Sequence, residues 1–413
     1  KQNNFPAAET YYTRCLPLAK TPAEKANVLN NVAALHWKMN DYPKAAEAYE
    51  EALQIRRVLA AINPQANLPD VATTLNNLGV LHRNMNEYPK AVKAFEEAED
   101  IYRELADANP QAYRPDVAMT LNNVGNLHWK MKDYPKAAKA FEEAEDIYRE
   151  LAADNPQAYR PYVAMTLNNV GNLHWKMKDY PKAAKAYEEA EDIYRELAAD
   201  NPQAYLPYVA GTLNNLGVLH RNMNDYPKAA KAFEEALQIR RELADENPQA
   251  YRPDVAQTLN NVGVLHWKMK DYPKAEKAFE DALQIRRELA AVNPQAYRPD
   301  LADTLNNVGN LQCDLKDYPK AKDAYEEALQ IRRELADENP QAYRPYLVET
   351  LINLAIFYLK DLPDREQSIQ YAKEALSYRS SLEHLPNAHK DIEKAEIILR
   401  YWEKIPPLSG RPI

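Results

Sequence analysis

The sequence predicts an all-α fold, an α-solenoid of antiparallel helix pairs stacked side by side. Two observations carry this prediction. The tripeptide Leu-Asn-Asn recurs at Leu29, Leu75, Leu121, Leu167, Leu213, Leu259 and Leu305, an eighth copy survives as Leu351-Ile352-Asn353, and every interval is 46 residues. Within each interval, apolar residues recur at helical spacing along two successive stretches separated by a short Asp-Tyr-Pro break. Composition agrees, with only 8 glycines, while the 29 prolines fall at fixed offsets in the repeat. So regular a repeat overrides any domain count taken from chain length.

The elements follow in order. Asn3 to Lys20 has the pattern of a second helix without its first, so residues 1–20 read as the second helix of a truncated leading repeat, with the array beginning upstream of Lys1. Residues 21–384 hold eight helix-pair repeats. In the third, Pro115 and Asp116 suit a first turn, where a missing N–H and a negative charge are tolerated. Leu121, Val124, Leu127, His128 and Met131 then cover one side of the first helix, with Gly125 at the edge of that side. Asp133 is a good N-cap for the second helix and Pro135 fits its first turn. Ala137, Ala140, Phe141, Ala144, Ile147, Tyr148 and Leu151 form the second apolar stripe, and Asn155-Pro156 ends it. The spacing therefore predicts helices near 115–131 and 135–153, repeated at intervals of 46 without strands, the QAYR segment serving as connection. One pair buries too little surface to stand alone, so neighbours must stack. Residues 385–405 predict a capping helix with Ile392, Ala395, Leu399 and Trp402 on one face, and residues 406–413 a disordered tail.

The totals narrow the function. A net charge of −9 argues against a general binder of nucleic acid or anionic membranes. No apolar run approaches the length of a membrane span. Cys15 and Cys313 cannot build a disulfide framework, which makes a reducing cytoplasm the default. No Gly-rich phosphate loop, nucleophile elbow or HExxH occurs, so the reading is of a non-enzymatic protein without cofactors. His36, His82, His128, His174, His220 and His266 lie on the apolar side one per repeat, too far apart to converge on a metal, and read as structural.

Leu121, Val124, Gly125, Ala137, Phe141 and Ala144 carry a small-and-large pattern that resembles the tetratricopeptide family, and the likeness covers nearly the whole chain. Leu121 corresponds to position 4 of the family's unit of about 34 residues. Two departures stand out: His128 takes the place of a packing aromatic, and the proline that usually ends the second helix is absent, which lengthens that helix. The long second helix and the Leu-Asn-Asn-x-Gly phrase are most similar to the kinesin-light-chain type of repeat found in many bacterial signalling proteins. The resemblance implies a right-handed superhelix whose first helices line a concave groove. Because the array reads as capped at its C-terminal end and open at its N-terminal end, any effector domain is expected upstream of Lys1.

On that groove the family's positions 2, 5, 6, 9, 12 and 13 are, in the third repeat, Met119, Asn122, Asn123, Asn126, Trp129 and Lys130. The second asparagines (Asn31, Asn77, Asn123, Asn169, Asn215, Asn261 and Asn307) present a donor and an acceptor suited to a peptide unit of any sequence. Trp37, Arg83, Trp129, Trp175, Arg221 and Trp267 at position 12, with Lys130 and Lys176 beside two of them, are anchor types for a protein ligand. The asparagines could instead bond only to neighbouring helices. The chain thus reads as a protein-interaction module for an extended segment, the sensor or adaptor part of a larger bacterial protein. A self-assembling structural scaffold is the alternative.

Overall fold

The computed structural model describes residues 11–12, 14–39, 41–382 and 388–405, and all regular structure among them is helical. The expectations for residues 1–10 and for the tail 406–413 lie outside these residues; Leu16–Leu18 form a single 3-10 turn. Eight helix pairs follow among the described residues, the third being Pro110–Lys130 and Tyr134–Asp154.

The first helix of the first pair starts at Pro22 as expected, but from the second pair on the first helices start five residues earlier, so QAYR is helical and Pro115 lies inside its helix. The capping chemistry explains why. Asn109 accepts a hydrogen bond from the Ala112 N–H at 3.3 Å, and Pro110 occupies the first turn, where its missing N–H costs nothing. Pro115 removes one further bond, but the carbonyl left without its donor belongs to Gln111, which is exposed to solvent. The second helix begins as expected, with the Asp133 carboxylate accepting from the Lys136 N–H at 3.4 Å.

Between the helices of a pair the chain turns through Met131, Lys132 and Asp133, with Lys132 in the left-handed region at φ 63°. Between pairs a single residue suffices. Asn155 donates its backbone N–H to the Leu151 carbonyl and accepts from the Ala158 N–H, so one residue closes one helix and opens the next. Two helices of 21 residues, a three-residue turn and one asparagine make up the 46-residue period.

The chain divides into two compact units, Lys1–Gln249 and Ala250–Ile413. In the first, five helix pairs stack in sequence, and the second helix of each of the first four lies between its own first helix and the next. First helices of successive pairs also touch each other from the second pair to the fifth. Ala137, Phe141, Ala144 and Tyr148 are buried, while Leu151 is only half-buried. Gly125 is where the two helices of the third pair come closest, and a Cβ there would lie 2.5 Å from the Phe141 ring. On the far side, successive second helices are tied by Arg103–Glu143, Arg149–Glu189 and Arg195–Glu235 pairs, each 2.6 Å.

The second unit packs Ala290, Leu301, Ala302, Leu305, Ala328, Ile331 and Leu335 into its own core. Its last pair, Pro340–Lys360 and Arg365–Ser377, is covered by a helix at Ala388–Lys404. Ile392, Ala395 and Ile398 are buried there, and Leu399 is half-buried. The Trp402 indole N–H donates to the Ser368 hydroxyl at 2.9 Å, which donates in turn to the Ala355 carbonyl at 2.8 Å.

Candidate functional site

The two asparagines of each repeat are about 100° apart on the helix, which separates their surroundings. The first asparagine points into the seam between successive first helices. Asn76 donates to the Thr120 hydroxyl at 2.7 Å, Asn122 to Thr166 at 2.8 Å, Asn168 to Thr212 at 2.9 Å and Asn306 to Thr350 at 2.9 Å. Each of these threonines donates onward to the carbonyl four residues back, as Thr166 does to Tyr162 at 2.9 Å. The threonines did not figure among the sequence candidates, although one precedes the leucine in seven of the eight copies, from Thr74 to Thr350.

The second asparagine divides into two groups. Asn169 donates to the Asn122 side-chain carbonyl at 3.2 Å, and Asn307 does the same to Asn260 at 3.0 Å. Asn261 is also engaged. These three are therefore bonded within the stack, the alternative that the sequence left open for the asparagines: the carbonyl of Asn122, whose N–H is turned to Thr166, also receives the Asn169 amide, whereas the carbonyls of Asn76, Asn168 and Asn306 are buried without a donor. Asn31, Asn77, Asn123 and Asn215 have no hydrogen-bond partner among the described residues. Asn31 is exposed and the other three are half-buried.

The position-12 residues are also more deeply set than ligand anchors need be. Trp129 packs half-buried against Ala137, Phe141 and Leu173, and Trp175 against Tyr187, Leu216 and Leu219. Only Trp37, at 36% exposure, stands open. The reason lies in the stacking, because this face of one first helix abuts the next pair. Trp267 packs likewise on Phe279 and Leu311, and its indole N–H donates to the Asp314 carboxylate at 2.7 Å. The indole N–H groups of Trp129 and Trp175 are buried without an acceptor.

Lys130 and Lys176 remain exposed and lie over these rings. The Lys176 ammonium is 4.6 Å from the centroid of Trp175 and 5.8 Å from that of Trp129, and Lys130 is 5.4 Å from that of Trp129. Burial pulls the Lys130 ammonium below its ordinary value, with Arg83 and Lys176 as neighbouring like charges adding to the shift. Burial also lowers Lys176, Arg83 and Arg221.

Among the described residues, no three His, Cys, Asp or Glu side chains gather in a way that could hold a metal, and no helix is long and apolar enough to cross a membrane. His128, His174 and His266 lie half-buried with Nδ1 3.8 Å from Asp133, Asp179 and Asp271, each the residue just before a second helix. One position of the second helices is tyrosine in the second to fourth repeats (Tyr102, Tyr148 and Tyr194) and arginine in the first, fifth, sixth and seventh (Arg56, Arg240, Arg286 and Arg332), and it is buried in all seven. Tyr148 donates to the Pro115 carbonyl at 3.3 Å, and Arg56 to the Asp70 carbonyl at 3.0 Å, both across the seam between second and first helices.

Comparison with known proteins follows this geometry. No curated protein sequence matches the chain. Among solved structures it is similar to RapI in its apo form, with a TM-score of 0.51 and 14% identity over 76% of this chain and 99% of that one. It is also similar to a Rap protein complexed with competence and sporulation factor, with a TM-score of 0.50 and 17% identity over 91% and 99%. BtubC from P. vanneervenii gives a TM-score of 0.44 and 22% identity over 69% and 96%. At such identities the likeness concerns the fold. Tetratricopeptide-repeat models match residues 1–58, 116–196, 208–288 and 254–334, and a second such model matches residues 71–111. With its paired helices, small residues at the closest approach and one packing ring per pair, the chain belongs to the tetratricopeptide-repeat family.

Proposed function

We propose that the chain is a non-catalytic protein-interaction module whose first-helix face holds an extended segment of another protein, as the sensor or adaptor part of a larger cytoplasmic signalling protein. The observation that carries the reading is the division of labour within the asparagine pairs. Asn76, Asn122 and Asn168 bond to threonines across the seam, whereas Asn77, Asn123 and Asn215 leave a donor and an acceptor unused. Packed helices lie roughly 8–10 Å apart and an extended chain rises about 3.3 Å per residue. The free amides of Asn77 and Asn123, on neighbouring first helices, therefore match residues about three apart in a bound strand, and Asn215, two first helices further along, a residue about six beyond. The similar Rap structure, complexed with competence and sporulation factor, is in keeping with a ligand-binding array.

The test pairs two variants. Asn123→Ala with Asn215→Ala weakens binding of the segment by about 1–3 kcal/mol and leaves the melting temperature in place, since both amides are unbonded. Asn122→Ala strands its partners and lowers the melting temperature. Binding unchanged in the first variant refutes the reading. A solution mass that grows with concentration points instead to self-assembly as a scaffold.

A further inference from the structure

The first-helix face of the first unit carries a row of cations that no carboxylate answers. Arg83, Lys130, Lys176 and Arg221 form no ion pair among the described residues. The chain has a net charge of −9 and pairs most of its other arginines, as in Arg57–Glu97, Arg103–Glu143 and Arg149–Glu189. Carboxylates are thus abundant and are placed elsewhere. Nε and Nη1 of Arg221 are buried without a partner, as are the indole N–H groups of Trp129 and Trp175. A buried donor left unsatisfied is costly, and a charged one more so.

The second unit shows what such a site takes. There the Trp267 N–H is satisfied by Asp314, 47 residues further along and on the next first helix, at 2.7 Å. The residue 47 positions after Trp129 is Lys176, and after Trp175 it is Asn222. Where the second unit supplies its own carboxylate, the first unit places an ammonium 5.8 Å from the Trp129 ring and an amide beyond Trp175. The indole donors stay unmet while the local charge turns positive.

Resting on the reading of this face as a site for an extended segment, we propose that the segment is acidic: Asp or Glu carboxylates of a partner protein bind between Trp129, Lys130 and Lys176, in the place that Asp314 holds beside Trp267. Lys176 swings off the Trp129 ring to pair with the entering carboxylate, a motion its flexible stem permits. Arg83 and Arg221 flank this centre and attract the acidic residues on either side. Arg83 and Arg221 are half-buried, so pairs that they form are less screened by water than pairs on the open surface.

The experiment presents the full chain with a pool of short random-sequence peptides and determines the composition of those retained. The expected result is enrichment of Asp and Glu over Lys and Arg. A retained acidic peptide then binds about tenfold or more weakly to Lys130→Glu and to Lys176→Asp. The second variant places a built-in carboxylate where Asp314 stands and closes the site from within. Unchanged helical content and melting temperature verify that both variants are folded. Retention of neutral or basic peptides overturns the acidic assignment and leaves the peptide-binding reading standing. Retention of no peptide overturns both. Equal competition by single-stranded nucleic acid at matched charge shows an unselective polyanion surface, and likewise overturns the proposal.

Discussion

Replacing Gly125 by Ala tests the packing logic of the fold, because two effects of opposite sign meet at one atom. Ala favours a helix interior over Gly by about 1 kcal/mol. Its Cβ, however, would lie 2.5 Å from Cε1, 2.6 Å from Cδ1 and 2.9 Å from Cζ of Phe141. Carbon atoms in contact prefer about 3.5–4.0 Å, so the ring must retreat by about 1 Å. It has nowhere to go, being 1% exposed and seated among Ala137, Leu173 and Trp129. Overpacking of this kind costs about 1–3 kcal/mol, which leaves a net loss of about 0–2 kcal/mol. Phe141→Ala alone costs about 3–5 kcal/mol. In that background the clash is gone and the added methyl partly fills the cavity, so Gly125→Ala becomes stabilising by about 1 kcal/mol. Native-state hydrogen exchange over Tyr134–Asp154 reads the local stability, with Tyr42–Ile62 as a distant reference. Because stability in a stacked array is close to nearest-neighbour, the reference should stay protected. A stabilising Gly125→Ala in the parent chain, the same sign in both backgrounds, or uniform loss of protection along the array refutes the reasoning.

Other predictions are shorter. Lys132 and Lys178, both at φ 63°, carry a Cβ in the left-handed region, so Lys132→Gly is expected to raise stability by about 0.5–1 kcal/mol in thermal unfolding. Burial lowers the pKa of His128, His174, His220 and His266 below their ordinary 6.5, so the unfolded chain takes up protons first. The stability they contribute is complete above pH 6.5 and is lost as pH falls through their folded values. Replacing the four by Gln, the residue at the same place in the seventh repeat (Gln312), should flatten that decline in melting temperature. Trp402→Ala should fray the last pair, read as faster exchange in Arg365–Ser377, since it removes the bond to Ser368.

The helix pairs and their stripes were legible in the sequence because amphipathic spacing and a strict period report burial directly. The starts of the first helices were not. From the second pair on, two prolines lie five residues apart at each start, as Pro110 and Pro115 do, and only the first sits in the first turn. The asparagine ahead of Pro110 was the available sign, since Asn-Pro supplies an N-cap and a first-turn proline together. Which asparagine of a pair is bonded was hidden for another reason. It depends on how each helix is rotated against its neighbour, a property of the stack and not of one repeat. The threonine ahead of the leucine in seven of the eight copies held that information, but only a helix 44 residues away turns it into a partner.

The single asparagine between pairs leaves the array no slack. Asn155 ends one helix and starts another, so there is no loop in which an extra residue can be absorbed. One inserted residue in a helix turns everything beyond it by about 100°, carrying alanines outward and lysines into the seams. The chain meshes like a gear train, in which a tooth cannot be added but a whole wheel can. Viable changes of length at such a junction come as complete repeats. Within the first unit, the same fixed spacing repeats the first-helix face at a constant pitch, a ruler whose divisions cannot drift.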